Sequence, residues 1–192
     1  MSITIKHPGL FSTIQDDGRT DGMPDGIPIS GAMDLNLYKF ANQILNNLEH
    51  SACIEFFQQG LIIEFNAPTF ICVGSLGAVI LLNESQAEIN TVLSVRQGDK
   101  LNVKELTKGS WGYIAVKDGI ESKSLLGSQS YFKHLTQPQL RKNDTINISS
   151  FDGESGGDYS QFDFSYYEKP VLNVFKGPEF HKLSQTLQYQ LE

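Results

Sequence analysis

The chain has 192 residues, 40% of them hydrophobic and 19% charged, with a formal net charge of -7. That size fits one compact domain or one plus part of a second, and the acidic balance, with no Lys/Arg cluster, is the opposite of a nucleic-acid footprint. The opening MSITIKHPGL has neither a basic leader nor a long apolar core and no apolar run reaches membrane-spanning length, so the sequence predicts a cytoplasmic protein with no membrane or nucleic-acid partner.

SITIKH alternates Ile3 and Ile5 on one face and predicts a first strand. The next stretch, FSTIQDDGRTDGMPDGIPISGAMD (residues 11–34), fits neither strand nor helix. Asp16, Asp17, Asp21, Asp25 and Asp34 crowd together with Gly18, Gly22, Gly26, Gly31, Pro24, Pro28 and Arg19, so it reads as a loop. Its carboxylates miss the spacing of a calcium loop, with Pro28 where the bidentate Glu would stand. Composition leaves two readings balanced. In one, the planar fork of Arg19 binds a carboxylate or phosphate, Asp16 and Asp17 orient it or take protons, and SGAMD presents backbone amides at a helix start. In the other, Arg19 and the carboxylates pair with one another and tie the loop down.

From Asp34 onward, Leu37, Phe40, Ala41, Ile44, Leu45 and Leu48 fall on one helical face. Asp34 is placed to cap this amphipathic helix, and Asn46 and Asn47 to end it. ACIEFF then puts Glu55 inside an apolar strand. Alternation commonly turns such a residue to solvent; facing inward, it would have a raised pKa and suit general acid or base work.

LIIEFN, TFICVG, GAVILLN, INTVLSV, KLNVKEL after a Gly98–Asp99 turn, WGYIAVKDG and DTINISSF predict further strands, a spacing that suggests a barrel or sandwich. Cys53 and Cys72 lie in such runs and read as buried thiols. Neither they nor His7, His50, His134 and His181 have metal-ligand spacing, so no metal is predicted. Ser128 and Ser130 in LLGSQSYF fit either a turn or a ligand contact. The Gly/Ser/Asp-rich residues 152–169 read as a linker or mobile loop closing a β domain of residues 1–151. Residues 170–192 read as the start of a second, truncated domain, with Pro178 in the first turn of a C-terminal helix striped by Phe180, Leu183, Leu187 and Leu191. There is no phosphate-binding glycine loop and no G-x-S-x-G elbow.

GLFSTIQDDGRTDGMPDGIPISGAMDLNLYKFANQILNN resembles the opening of the biotin-dependent carboxyltransferase family, also known as the allophanate hydrolase subunit 2 family, with the KipI antagonist KipA and the C-type subunit of 5-oxoprolinase among its members. Gln15, Asp16, Gly18 and Arg19 match its Q-D-x-G-R, residues 26–34 its G-V-P-x-S-G-A-M-D, and Ala41 and Asn42 its helix. Glu55 and Gly60 match A-x-L-E-x-x-x-x-G, and GYIAVKDGIE and LLGSQS resemble later motifs. The resemblance implies a mainly β, cyclophilin-like barrel. It also implies a subunit of an ATP-dependent 5-oxoprolinase, which hydrolyses 5-oxoproline to glutamate. A KipI-like protein, the B-type subunit of 5-oxoprolinase, and a lactam-utilisation subunit would be its partners, with ATP bound together with them.

On this resemblance Asp16 and Glu55 are the expected catalytic residues, and Gln15, Gly18, Arg19, Ser30, Gly31, Asp34 and Ser128 bind substrate. Two alternatives come with it: a non-catalytic antagonist of a KipI-like kinase inhibitor, and a urea- or allophanate-type carboxyltransferase, under which alone biotin enters. This chain departs from the pattern at Trp111, where the family usually has Arg, and at Gln129 and Tyr131, where it has Arg and Thr. Of a later basic stretch only Arg141 remains, and each lost cation weakens an anion site. Asp17, Asp21 and Asp25 lie outside the shared pattern and are expected to be solvated.

Overall fold

A computed structural model describes residues 1–149, 163–169 and 175–191. Most of the expected linker (residues 152–162) and the first residues of the expected second domain (170–174) lie outside the described residues. The chain divides into two compact units, Met1–Phe162 and Asp163–Glu192.

The first unit is mainly β, with two antiparallel sheets. One takes β1 (Ser2–Pro8), β4 (Leu61–Phe65), β6 (Gly77–Leu82), β7 (Ser85–Ala87), β9 (Lys100–Lys108), β11 (Ile120–Glu121) and β12 (Thr145–Ile148), in the order β11-β12-β1-β4-β9-β6-β7. The other takes β2 (Phe11–Gln15), β3 (Cys53–Phe57), β5 (Thr69–Gly74), β8 (Leu93–Val95) and β10 (Trp111–Val116), in the order β2-β3-β10-β5-β8. The two orders do not join into one ring, so the fold approximates the expected barrel without closing it.

Alternation builds the core between the sheets. Ile3 and Ile5 of β1, Ile63 and Phe65 of β4 and Leu101 and Val103 of β9 meet Ile14, Ile54, Phe56, Ile71, Val73, Ile114 and Val116 of the five-stranded sheet. Gly112 is needed there, since a Cβ would lie 2.3 Å from the ring of Phe56.

The outer face of the five-stranded sheet is covered as well. Helix α1 (Leu35–Ile44) packs across β5 and β10 with Leu37, Tyr38, Ala41 and Ile44 buried. A Cβ on Gly74 would come 2.8 Å from that of Ala41, so glycine sets how closely the helix approaches. Sheets covered on both faces read as continuous apolar runs. That is why ACIEFF and TFICVG showed little alternation, and why both cysteines are buried free thiols.

Several expectations are corrected. Residues 11–15 form a strand rather than loop: pairing runs from Phe11 opposite Phe57 to Gln15 opposite Cys53. Ser12 and Thr13 are fully buried within it, a polar composition that hides a strand from propensity. INTVLSV yields only Leu93–Val95, and the two- and three-residue strands β11 and β7 carried no readable period. Helix α1 stops at Ile44, and Asn46 turns left-handed at φ 52° as expected of a terminator. Leu48 therefore leaves the apolar stripe and is 83% exposed.

In the second unit, a 3-10 turn (Phe180–Lys182) precedes α2 (Gln185–Leu191). This C-terminal helix begins later than Pro178 suggested because Ser184 starts it, its Oγ accepting from the Leu187 amide at 3.3 Å. No helix among the described residues is long and apolar enough to cross a membrane.

Candidate functional site

The loop after β2 folds back on itself. Arg19 N donates to Ile29 O (2.9 Å) and Ala32 N to Asp16 O (2.8 Å), so residues 16–19 run beside residues 29–32. Gly18 and Gly31 make that passage possible. Both have φ near +95°, and a Cβ on either would lie about 3 Å from the opposite backbone.

Asp16, 2% exposed, is the centre of this knot. Its Oδ1 accepts from Ser128 Oγ (2.6 Å), Ser130 Oγ (2.5 Å) and Gly18 N (2.8 Å), and its Oδ2 from Gln129 N (2.6 Å). Arg19, 1% exposed, is enclosed beside it. Its guanidinium donates to the carbonyls of Leu125, Pro28 and Ser130 and to Ser30 Oγ, and it lies 5.9 Å from the centre of the Phe132 ring. Burial lowers the Arg19 pKa and the nearby Asp16 charge opposes that. The fork expected to grip an anion is thus filled by this chain's own oxygens, and both residues join the 16–32 loop to residues 125–132.

A second cluster lies on the outer face of the five-stranded sheet. Glu55 stands opposite Thr13 of β2 and Tyr113 of β10, and it is 3% exposed. It neither reaches solvent, as alternation alone would have it, nor enters the core: it is roofed by the segment leading into α1. Its Oε2 accepts from Met33 N (2.7 Å) and from the Tyr113 hydroxyl (2.9 Å), and that hydroxyl accepts from Asp34 N (2.7 Å). Three consecutive amides, of residues 32, 33 and 34, therefore meet Asp16, Glu55 and Tyr113 in turn. Asp34 also caps α1, its Oδ1 accepting from Leu37 N at 3.1 Å.

Burial raises the Glu55 pKa, and the donors from Met33 and Tyr113 partly restore the charged form. Burial, then the Glu55 charge, pushes Tyr113 far above the usual phenol range. Beside this cluster, Gln15 donates through Nε2 to Thr13 Oγ1 (3.0 Å), while its Oε1 is buried with no hydrogen-bond partner among the described residues.

Further along the same face, Phe11, Phe57 and Trp111 are cross-strand neighbours. Trp111 meets Phe57 at 5.0 Å and Phe11 at 6.3 Å, and Tyr131 meets Phe11 at 6.3 Å, all of them half-buried. Two positions where the resemblance led one to expect other residues, one of them an arginine, thus contribute to an aromatic patch. Gln129 instead braces the chain, its Oε1 accepting from Ser122 N and Oγ.

Two features were missed by sequence reasoning. Tyr113 is one aromatic residue in an apolar strand, and only the register of β10 on β3 marks it out. Asp17, expected to be solvated, binds His50 Nδ1 at 2.5 Å, and this hydrogen bond followed by the Asp17 charge raises the histidine pKa. Asp25 and Asp21 are exposed as expected. No group of three or more His, Cys, Asp or Glu able to hold a metal occurs among the described residues.

The carboxyltransferase domain family, subdomain A and B, matches residues 25–191. Urea amidolyase of Lachancea kluyveri is 34% identical over 129 residues, covering 67% of this chain and 7% of that protein. The C-type subunit of 5-oxoprolinase from Escherichia coli strain K12 is 27% identical over 128 residues, covering 67% of this chain and 41% of that protein. The chain thus spans less than half the length of these relatives. Among solved structures, Kluyveromyces lactis urea amidolyase superposes with a TM-score of 0.75 at 26% identity, over 91% of this chain and 11% of that one. Urea carboxylase of the same yeast superposes with a TM-score of 0.81 at 24% identity, over 98% of this chain and 18% of that one, a likeness of fold.

Proposed function

The chain belongs to the carboxyltransferase domain family, subdomain A and B, and from that premise we propose that it is a subunit of an ATP-dependent 5-oxoprolinase, opening 5-oxoproline to glutamate with partner subunits. The observation that carries this reading is Glu55: a buried carboxyl with a raised pKa, one oxygen held by two donors, beside a half-buried aromatic patch.

Hydrolysis of a lactam needs a group that takes a proton from water as its oxygen bonds the carbonyl carbon, then returns a proton to the nitrogen as the C–N bond breaks. Glu55 fills both roles, ionised in the first step and neutral in the second. The aromatic patch gives the flat ring an apolar wall. Asp16, Arg19, Ser30, Gly31 and Ser128 hold the loop whose amides at residues 33 and 34 fix Glu55 and Tyr113. Gln15 Oε1 offers an acceptor for the lactam N–H, and Asp34 fixes the start of α1.

ATP would supply the activation of the lactam carbonyl, being cleaved to ADP and phosphate in the process. It does not fit the described residues of this chain: the guanidinium of Arg19 is already enclosed by protein oxygens, and no phosphate-binding glycine loop is present. We place it on the partners, a KipI-like protein of the B-type and a lactam-utilisation subunit.

A second reading, a urea- or allophanate-type carboxyltransferase using biotin, is favoured by the 34% identity to urea amidolyase. Co-expression with the two partner subunits separates them. Glutamate formed from 5-oxoproline and ATP supports the first reading. Carboxylation of urea that needs a biotinylated carrier, with no glutamate formed, supports the second and overturns the first.

A further inference from the structure

We infer that Tyr113 is a positioning residue that makes Oε1 of Glu55 the single proton-exchanging atom of the site. This rests on the proposed role of Glu55 and follows from which atoms can donate. The Asp34 amide can only donate, so at 2.7 Å the phenol oxygen of Tyr113 is its acceptor. A phenol has one proton, and the other polar atom at its oxygen is Glu55 Oε2, 2.9 Å away. The Tyr113 proton therefore points at Oε2. Met33 N, at 2.7 Å, donates to the same oxygen.

Two donors fill Oε2 as an acceptor. A proton added to Glu55 has to go to Oε1, which receives no hydrogen bond from any described residue. The plane of the carboxyl is fixed at the same time, because its two donors come from different elements, Met33 from the segment before α1 and Tyr113 from β10. Tyr113 is itself fully buried, with the ring of Tyr38 packed edge-on at 6.2 Å.

The titratable groups of the packed elements keep out of the exchange. Tyr38 on α1 is pushed far above the usual phenol range, chiefly by burial. Cys53 on β3 is raised by burial, against the Asn42 hydrogen bond, and Cys72 on β5 is pushed up by burial to about 12. At neutral pH all three are uncharged. Asp34 Oδ1 accepts the capping bond from Leu37 N, and the Asp34 charge adds to the upward push on Tyr113. Glu55 thus presents one atom that is an O–H donor when neutral and an acceptor when ionised, with no rotation between the two states. A lactam nitrogen and an attacking water need those two states in succession.

The test is an infrared titration of the free chain carrying 13C-labelled glutamate, with Glu55→Gln to assign the band. The carbonyl of neutral Glu55 is Oε2, held by two donors. Tyr113→Phe removes one of them, so its band moves to higher wavenumber and its pKa rises by about one unit. Replacing Tyr113 with 3-fluorotyrosine keeps the shape and strengthens the donor, so the band moves the other way; this second variant serves if the phenylalanine variant does not fold. In the reconstituted complex, Tyr113→Phe lowers kcat with little change in KM and moves the acidic limb of the rate profile upward. A band that stays in place in a folded variant overturns the assigned contact. A shifted band with an unmoved acidic limb overturns the role of Glu55 in the reaction, and with it the inference.

Discussion

Glu55 and Asp16 are both buried carboxylates, and their partners separate them. Asp16 accepts four hydrogen bonds from Ser128, Ser130, Gly18 and Gln129, beside the enclosed Arg19. Asp16→Asn turns an amide donor toward those donors and removes the charge that faces the guanidinium. It is expected to cost about 2–4 kcal/mol in urea unfolding; a loss below about 0.5 kcal/mol contradicts this account of the knot. Glu55 makes stability depend on pH. Its folded pKa is raised above 4.5, so its neutral form favours the fold, and the benefit is lost as pH rises through the folded value. His50 is exposed, and its raised pKa means its pairing with Asp17 contributes below about 6.5 and fades as pH rises through the folded value. An NMR titration is expected to place His50 above 6.5, and Asp17→Asn to bring it back toward 6.5; an unchanged midpoint in that variant removes the pair as the cause. Composition left Arg19 balanced between a ligand fork and a loop tie, and the family resemblance assigned it to substrate binding. No composition argument could decide, because the partners that fill the fork, Leu125 O and Ser130 O, lie more than a hundred residues away.

At the scale of elements, the site depends on α1 lying close to the five-stranded sheet, since Met33 and Asp34 reach Glu55 and Tyr113 just before the helix begins. Gly74→Ala places a methyl 2.8 Å from that of Ala41. The helix has to move outward, at a cost of about 1–3 kcal/mol, and the Met33 and Asp34 contacts loosen with it. Amide exchange at residues 33 and 34 faster than in the parent, with β1 and β4 unaffected, is the expected result; unchanged exchange would mean that the helix does not hold those amides. The helix was legible from its period and its Asp34 cap, and most strands from their apolar runs. The strand β2 was not, because Ser12, Thr13 and Gln15 look like loop chemistry until β3 is laid beside them. Glu55 illustrates the same limit. Alternation correctly put it on the face away from the core, but that the face is roofed follows from tertiary packing alone.

For the molecule as a whole, the family was readable from the residues of the Gln15–Arg19 and 26–34 motifs, whereas the aromatic patch formed by Phe11, Phe57, Trp111 and Tyr131 was not. Trp111 and Tyr131 registered in the sequence only as departures from the family pattern, and the strand register makes them neighbours. These aromatic positions and the enclosed Arg19 leave the face beside Glu55 apolar rather than cationic. The measurement that bears most directly on the central claim is glutamate formation from 5-oxoproline and ATP by the reconstituted complex carrying Glu55→Gln. Glutamine keeps an acceptor for Met33 N and Tyr113 and cannot carry the proton. The account predicts an intact, folded complex whose kcat falls by about a hundredfold or more; a complex that turns over at the parent rate would contradict it.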